Sequence, residues 1–210
     1  MAVGKIAILA INPDNPQVRL IRQVVEVLTG GGLIGYPTDT GYALGCDLYN
    51  LKGISRLYQI KRRPLSKPFS FICADLKNIS GYAQVGNFAY KTMKRLLPGP
   101  YTFILPATRL VPRLLQRGRK AVGVRIPDHW FCKEIVETVG EPIITTSIPL
   151  SDEQIHVDPL EIESHFGHMV DVIVDSGILP DIPSTILSME TDTLEIVRRG
   201  LGPLDMFEPQ

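Results

Sequence analysis

An α/β fold, a mixed sheet flanked by helices, is what this 210-residue sequence predicts. Segments with apolar residues at helical spacing alternate with short, continuous apolar runs, and that alternation is the signature of strands interleaved with helices. Hydrophobic residues make up 44% and charged residues 21%, enough apolar side chain to bury a sizeable core. Neither an internal repeat nor a shift in composition marks a boundary, so residues 1–210 read as one domain.

The elements follow in order. Pro16 to Thr29 carries Val18, Ile21, Val24, Val25 and Leu28 as an apolar stripe, and Gly30-Gly31-Gly32 ends the helix. Leu33 to Tyr36 reads as a buried strand closed by Pro37. Leu51 to Ile60 is predicted helical, with Leu51, Ile54, Leu57 and Tyr58 on one face. A strand at Phe69–Cys73, a helix at Phe88–Leu97 and a strand at Tyr101–Leu105 come next. Then come a strand at Ala121–Ile126, a helix at His129–Val139 and a strand at Ile143–Ser147. Ile155 to Phe166 is weakly helical, and Val170–Asp175, Thr185–Ser188 and Leu194–Val197 are late strands.

Lys+Arg and Asp+Glu both number 22, so an acidic partner such as nucleic acid would need a local basic patch. Cys46, Cys73 and Cys132 are far apart and odd in number, which suits buried thiols in a reducing compartment better than disulfides or a zinc motif. The apolar run from Ile6 to Ile11 is too short for a signal peptide, and no 18-residue apolar stretch exists. The expectation is a cytoplasmic protein without a membrane partner.

Seven segments could carry chemistry. Tyr36-Pro37-Thr38-Asp39-Thr40-Gly41-Tyr42-Ala43-Leu44-Gly45 follows a buried strand, and its small and hydroxyl residues suit a loop that approaches a ligand closely. An ordinary turn is the alternative. In Lys61-Arg62-Arg63-Pro64-Leu65-Ser66-Lys67-Pro68, Pro64 disfavours helix at Arg63. An extended chain there would aim Lys61, Arg63 and Lys67 to one side, toward a phosphate chain, unless the loop is merely solvated. Leu97-Pro98-Gly99-Pro100-Tyr101-Thr102 reads as a stiff structural corner.

In Val122-Gly123-Val124-Arg125-Ile126-Pro127, an arginine inside an apolar strand needs either a ligand anion or a structural acid. Gly123 on the same strand face leaves room for a ligand. Thr145-Thr146-Ser147 and Pro183-Ser184-Thr185 place hydroxyls at strand ends, where they also cap turns. Val197-Arg198-Arg199-Gly200 could reach a phosphate or end a strand in solvent. His165 and His168 beside Glu161 and Glu163 suit a polar helix surface better than a metal site. No P-loop, nucleophile elbow or Ser/His/Asp spacing occurs.

In their order along the chain, Pro37-Thr38-Asp39-Thr40, Lys61-x-Arg63, Pro98-Gly99-Pro100-x-Thr102, Val124-Arg125-Ile126-Pro127, Thr146-Ser147, Pro183-Ser184-Thr185 and Arg198 resemble the YrdC/YciO family of threonylcarbamoyl-AMP synthase-like proteins. Asn12-Pro13-Asp14-Asn15-Pro16 and the wording from Asp39 to Gly45 look most like the YciO branch. The resemblance covers roughly residues 14–202. It implies a single α/β domain with a twisted mixed sheet around a large, positively charged cavity. It also implies a nucleotidyltransferase that makes threonylcarbamoyl-AMP and pyrophosphate from L-threonine, bicarbonate and ATP, with Mg2+ accompanying the nucleotide. That reaction begins the threonylcarbamoyladenosine modification of tRNA.

Carried over residue by residue, Thr40, Arg125 and Ser184 would bind threonine, with Arg125 on its carboxylate. Lys61, Arg63, Lys67, Ser147 and Arg198 would face ATP, with Lys61 and Arg63 catalytic; no residue is implied as a metal ligand. The resemblance also implies an alternative partner, double-stranded RNA or tRNA held without catalysis, and another is a related nucleotide-dependent reaction on a different substrate. The chain departs from the family pattern in one segment. Where the synthases carry Ser-x-Asn it has Ser147-Ile148-Pro149, and where Ser-Gly-Arg often follows it has Ser151-Asp152-Glu153-Gln154. Proline cannot replace an asparagine amide, so turnover is expected to be weakened.

Overall fold

The computed structural model describes residues 7–12, 14–62, 64, 69–116, 120–149, 156–191 and 193–207. Among them, ten strands form one sheet: β1 (Ala7–Ala10), β2 (Leu33–Thr38), β3 (Gly41–Asp47), β4 (Ser70–Ile72), β5 (Tyr101–Pro106), β6 (Ala121–Arg125), β7 (Ile143–Ser147), β8 (Val172–Asp175), β9 (Thr185–Ser188) and β10 (Glu195–Arg198). Their order is β1-β8-β2-β3-β7-β4-β6-β5-β9-β10. Pairings β1/β8, β2/β8, β4/β6 and β5/β9 are parallel and the other five antiparallel, so the sheet is mixed as expected. The helices are α1 (Val18–Thr29), α2 (Leu51–Lys61), α3 (Leu76–Tyr82), α4 (Asn87–Leu96), α5 (Trp130–Val139) and α6 (Pro159–Phe166).

The central strands are buried on both faces because helices cover both. The pleat sends Ile34 and Tyr36 to a cluster with Ile21, Val24 and Leu28 of α1 and Phe131 and Ile135 of α5. Leu33, Leu44, Phe71 and Phe103 pack instead with Ile54 and Leu57 of α2 and Met93 of α4. This alternation follows from the two-residue period of a strand. No helix among the described residues is long and apolar enough to cross a membrane.

Several elements depart from the sequence expectation. The segment from Gly41 onward is a buried strand, β3, paired antiparallel with β2, and the only turn residues are those around Asp39 and Thr40. Gly41 has φ +112°, a conformation that favours glycine, and this lets the chain reverse so tightly. β2 runs through Pro37 to Thr38 because β8 pairs with it only at Ile34 and Gly35. Beyond those residues β2 has β3 as its sole neighbour among the described residues, an edge position that tolerates a missing N–H. Lys61 closes α2 and Arg62 takes a left-handed conformation (φ 46°), so the extended alternation expected from Lys61 does not start there. The steric restriction that Pro64 places on its preceding residue falls on Arg63, not on Lys61.

α3 and β1 were not expected as elements. α6 begins at Pro159, four residues later than predicted, with Asp158 accepting from the Leu160 amide as its cap.

Candidate active site

The turn between β2 and β3 is built by its own hydroxyls. Thr38 Oγ1 donates to the Gly41 carbonyl at 2.7 Å and accepts from the Thr40 amide at 3.1 Å. Thr40, 4% exposed, is thereby held against the end of β6, where its Oγ1 accepts from Arg125 Nη2 at 2.8 Å. The same Nη2 donates to Asp39 Oδ1 at 2.8 Å. Of the two partners foreseen for a buried arginine the structure supplies the acid, Asp39, and the side chain also lines a cavity of about 160 Å³.

Thr40, Arg125, Ser147, Ser184 and Arg198 all line this one cavity, although they come from five separate stretches of chain. Ser147 ends β7, and its Oγ accepts from Lys61 Nζ at 3.4 Å, which brings the C-terminal end of α2 to the same wall. Ser184 precedes β9; its Oγ lies 2.8 Å from Thr102 Oγ1, and its carbonyl accepts from Arg198 Nε at 3.1 Å and Nη2 at 2.8 Å. Gly200 allows that closeness, since a Cβ there would lie 2.2 Å from the Pro183 carbonyl oxygen. Arg63 and Lys67 lie outside the described residues. Among the described residues, two arginines and no carboxylate line the cavity.

The Pro98-Gly99-Pro100 corner is structural, as read. The Gly99 amide donates to the Ile126 carbonyl at 2.9 Å and Pro100 accepts from the Thr185 amide at 3.0 Å, which ties β6 and β9 to the start of β5. Ile148 is fully buried and Pro149 half-buried, neither lines the cavity, and Pro149, two residues past the lining Ser147, offers no donor where the family carries asparagine.

Sequence reading missed Ser70, which lines the cavity from β4. It lies opposite Gly123 across β4 and β6, a pairing that local sequence does not reveal. Tyr42, also on the wall, donates through its hydroxyl to the Gly177 carbonyl at 2.8 Å and accepts from the Ser176 amide at 3.0 Å; burial pushes its pKa up to about 12. Burial likewise lowers the pKa of His129, against the raising effects of Asp39 and Asp128.

No group of three or more His, Cys, Asp or Glu side chains that could hold a metal occurs among the described residues. These side chains do not fit a magnesium site built by the protein alone.

A family model described as telomere recombination, covering Sua5, YciO and YrdC proteins, matches residues 26–200. The chain is 42% identical to YciO of Escherichia coli K12 over 94% of this chain and 97% of that one. The crystal structure of E. coli YciO superposes with a TM-score of 0.91, covering 97% of this chain and all of that one. A protein of Vibrio vulnificus named threonylcarbamoyl-AMP synthase is 31% identical over 86% of this chain and 98% of its own length. P. abyssi Sua5 complexed with L-threonine is 25% identical with a TM-score of 0.88, over 96% of this chain and 59% of that chain.

Proposed function

The chain belongs to the Sua5/YciO/YrdC family, and we propose that it is a nucleotidyltransferase that forms threonylcarbamoyl-AMP and pyrophosphate from L-threonine, bicarbonate and ATP, turning over slowly. The observation that carries this reading is Arg125, a buried guanidinium on the wall of a cavity otherwise rich in hydroxyls and free of lining carboxylates among the described residues. Such a cavity is suited to a ligand that brings both a carboxylate and groups that hydrogen-bond to hydroxyls. Further support comes from the P. abyssi relative, whose structure was determined with L-threonine.

In this reading Arg125 holds the threonine carboxylate, with Thr40 and Ser184 around its polar groups. Lys61, Arg63, Lys67, Ser147 and Arg198 hold the triphosphate, with Lys61 and Arg63 offsetting the charge that develops on it. The threonine amine adds to bicarbonate with loss of water and gives a carbamate. A carbamate oxygen then attacks the α-phosphorus, the bond to the bridging β-phosphate oxygen breaks, and pyrophosphate leaves. The protein supplies no covalent nucleophile; it orients two anions and stabilises phosphate charge. Magnesium, carried by the nucleotide's own phosphates, would neutralise part of that charge. Pro149 offers no side-chain donor where the synthases carry asparagine, and in this reading turnover is slow for that reason.

The test is to incubate the protein with ATP, Mg2+, L-threonine and 13C-bicarbonate and look for threonylcarbamoyl-AMP by mass spectrometry. The reading expects an adduct one mass unit heavier than that formed from ordinary bicarbonate, and it fails if no such adduct forms at any enzyme concentration.

A further inference from the structure

Asp39 stands behind the guanidinium and is not among the residues that line the cavity. Its side chain is 9% exposed and that of Arg125 10%. Both carboxylate oxygens are anchored: Oδ1 accepts from Arg125 Nη2 at 2.8 Å and Oδ2 accepts from the Asp128 amide at 3.0 Å. With Nη2 also bonded to Thr40 Oγ1, both hydrogens of that nitrogen are in use. Nε is buried without a partner. The guanidinium is thus turned by a fixed acid, and its charge is largely matched before any ligand arrives.

A site that takes two anions must tell them apart. An unpaired buried guanidinium would attract any anion, and a small, multiply charged one most of all. A guanidinium already paired gives little net attraction, and recognition then depends on hydrogen-bond geometry.

Resting on the reading above, we propose that Asp39 is a positioning residue that holds Arg125 in register with Thr40 and cancels most of its charge, so that the Thr40 and Arg125 wall of the cavity, unlike the wall that takes the triphosphate, selects an amino-acid carboxylate over free phosphate. A residue needed only for folding would weaken both ligands together. Removing the Asp39 charge moves them in opposite directions.

The test is calorimetric titration of the full chain and of Asp39→Asn with L-threonine and, separately, with inorganic phosphate, with thermal melts alongside. The expected result is an L-threonine affinity roughly tenfold weaker and a phosphate affinity roughly tenfold stronger in Asp39→Asn, with phosphate becoming a competitor of threonine. Asp39→Glu, which keeps the charge but shifts the geometry, is expected to bind threonine weakly and to keep the phosphate affinity of the unaltered protein. Parallel losses for both ligands, unchanged phosphate affinity in Asp39→Asn, or stronger phosphate binding by Asp39→Glu would overturn the proposal. Failure of the unaltered protein to bind threonine would count against the substrate reading alone, because the phosphate measurements still decide the role of Asp39.

Discussion

Ser70 Oγ stands 2.6 Å from the point where a side chain on Gly123 would begin. The two residues are register partners across β4 and β6, and the serine hydroxyl occupies the cavity wall because its partner is glycine. In Gly123→Ala the hydroxyl must rotate away, while Ser70 Cβ at 3.3 Å is tight and Thr102 Cγ2 at 3.5 Å is in ordinary contact. The expected cost in stability is about 1 kcal/mol, with a clear loss of threonine affinity in titration. Adding Ser70→Ala should recover stability without recovering affinity. Unchanged affinity in Gly123→Ala would show that Ser70 has no part in binding.

Gly45 is a stricter case. A Cβ there would lie 2.8 Å from Tyr36 Cε1 and 3.1 Å from both Ile143 Cγ2 and the Ile144 carbonyl oxygen. Tyr36 cannot swing aside, because it is fully buried and its hydroxyl lies 2.6 Å from Thr145 Oγ1. Gly45→Ala should destabilise by about 1–3 kcal/mol through overpacking, read as a lower urea midpoint at unchanged slope.

Arg125→Ala leaves Asp39 buried without its cation, so it should cost about 3–5 kcal/mol as well as abolish any threonine dependence. Arg125→Lys separates the two effects. It keeps the charge but loses the planar fork, so the protein should melt near the normal temperature while threonine affinity drops. A lysine variant with normal affinity would remove Arg125 from its assigned role.

Cys46, Cys73 and Cys132 are buried, and burial raises the pKa of each thiol above its ordinary value. The folded state therefore retains protons that the unfolded state releases. That contribution to stability is complete below the unfolded thiol pKa, about 8.5, and is lost as pH rises toward the folded values. Stability should fall progressively above about pH 8.5, steepening where the raised pKa values of Tyr36 and Tyr42 add the same effect above about pH 10. Native protein should resist alkylation by iodoacetamide at neutral pH, and denatured protein should take up one label at each of the three cysteines.

Much of this architecture was legible because local signals agreed with the global fold. β7 and β9 occur at the predicted residues, and α1 ends where Gly30 halts its apolar stripe. β3 has the local signature of a loop, because Gly41, Gly45 and the hydroxyls of the preceding turn resemble loop chemistry. Its burial comes from β2 and β7 on either side, a tertiary fact. α3 is only seven residues long, and its one local signal was Asp75, which caps it by accepting from the Asn78 amide. Five of the eight candidate residues line the cavity; local signals single out the segments that hold them, and the family resemblance picks the residues within each segment. Nothing local to Asp39 says that its carboxylate turns toward Arg125 at the end of β6, 86 residues away in sequence.

The most direct measurement of the central claim is pyrophosphate release by the purified protein with ATP, Mg2+ and bicarbonate, comparing L-threonine with L-serine and with no amino acid. Slow release that requires threonine and bicarbonate is the predicted result, and it would establish that Pro149 is tolerated. Binding of ATP and threonine with no release above the amino-acid-free background would contradict the claim.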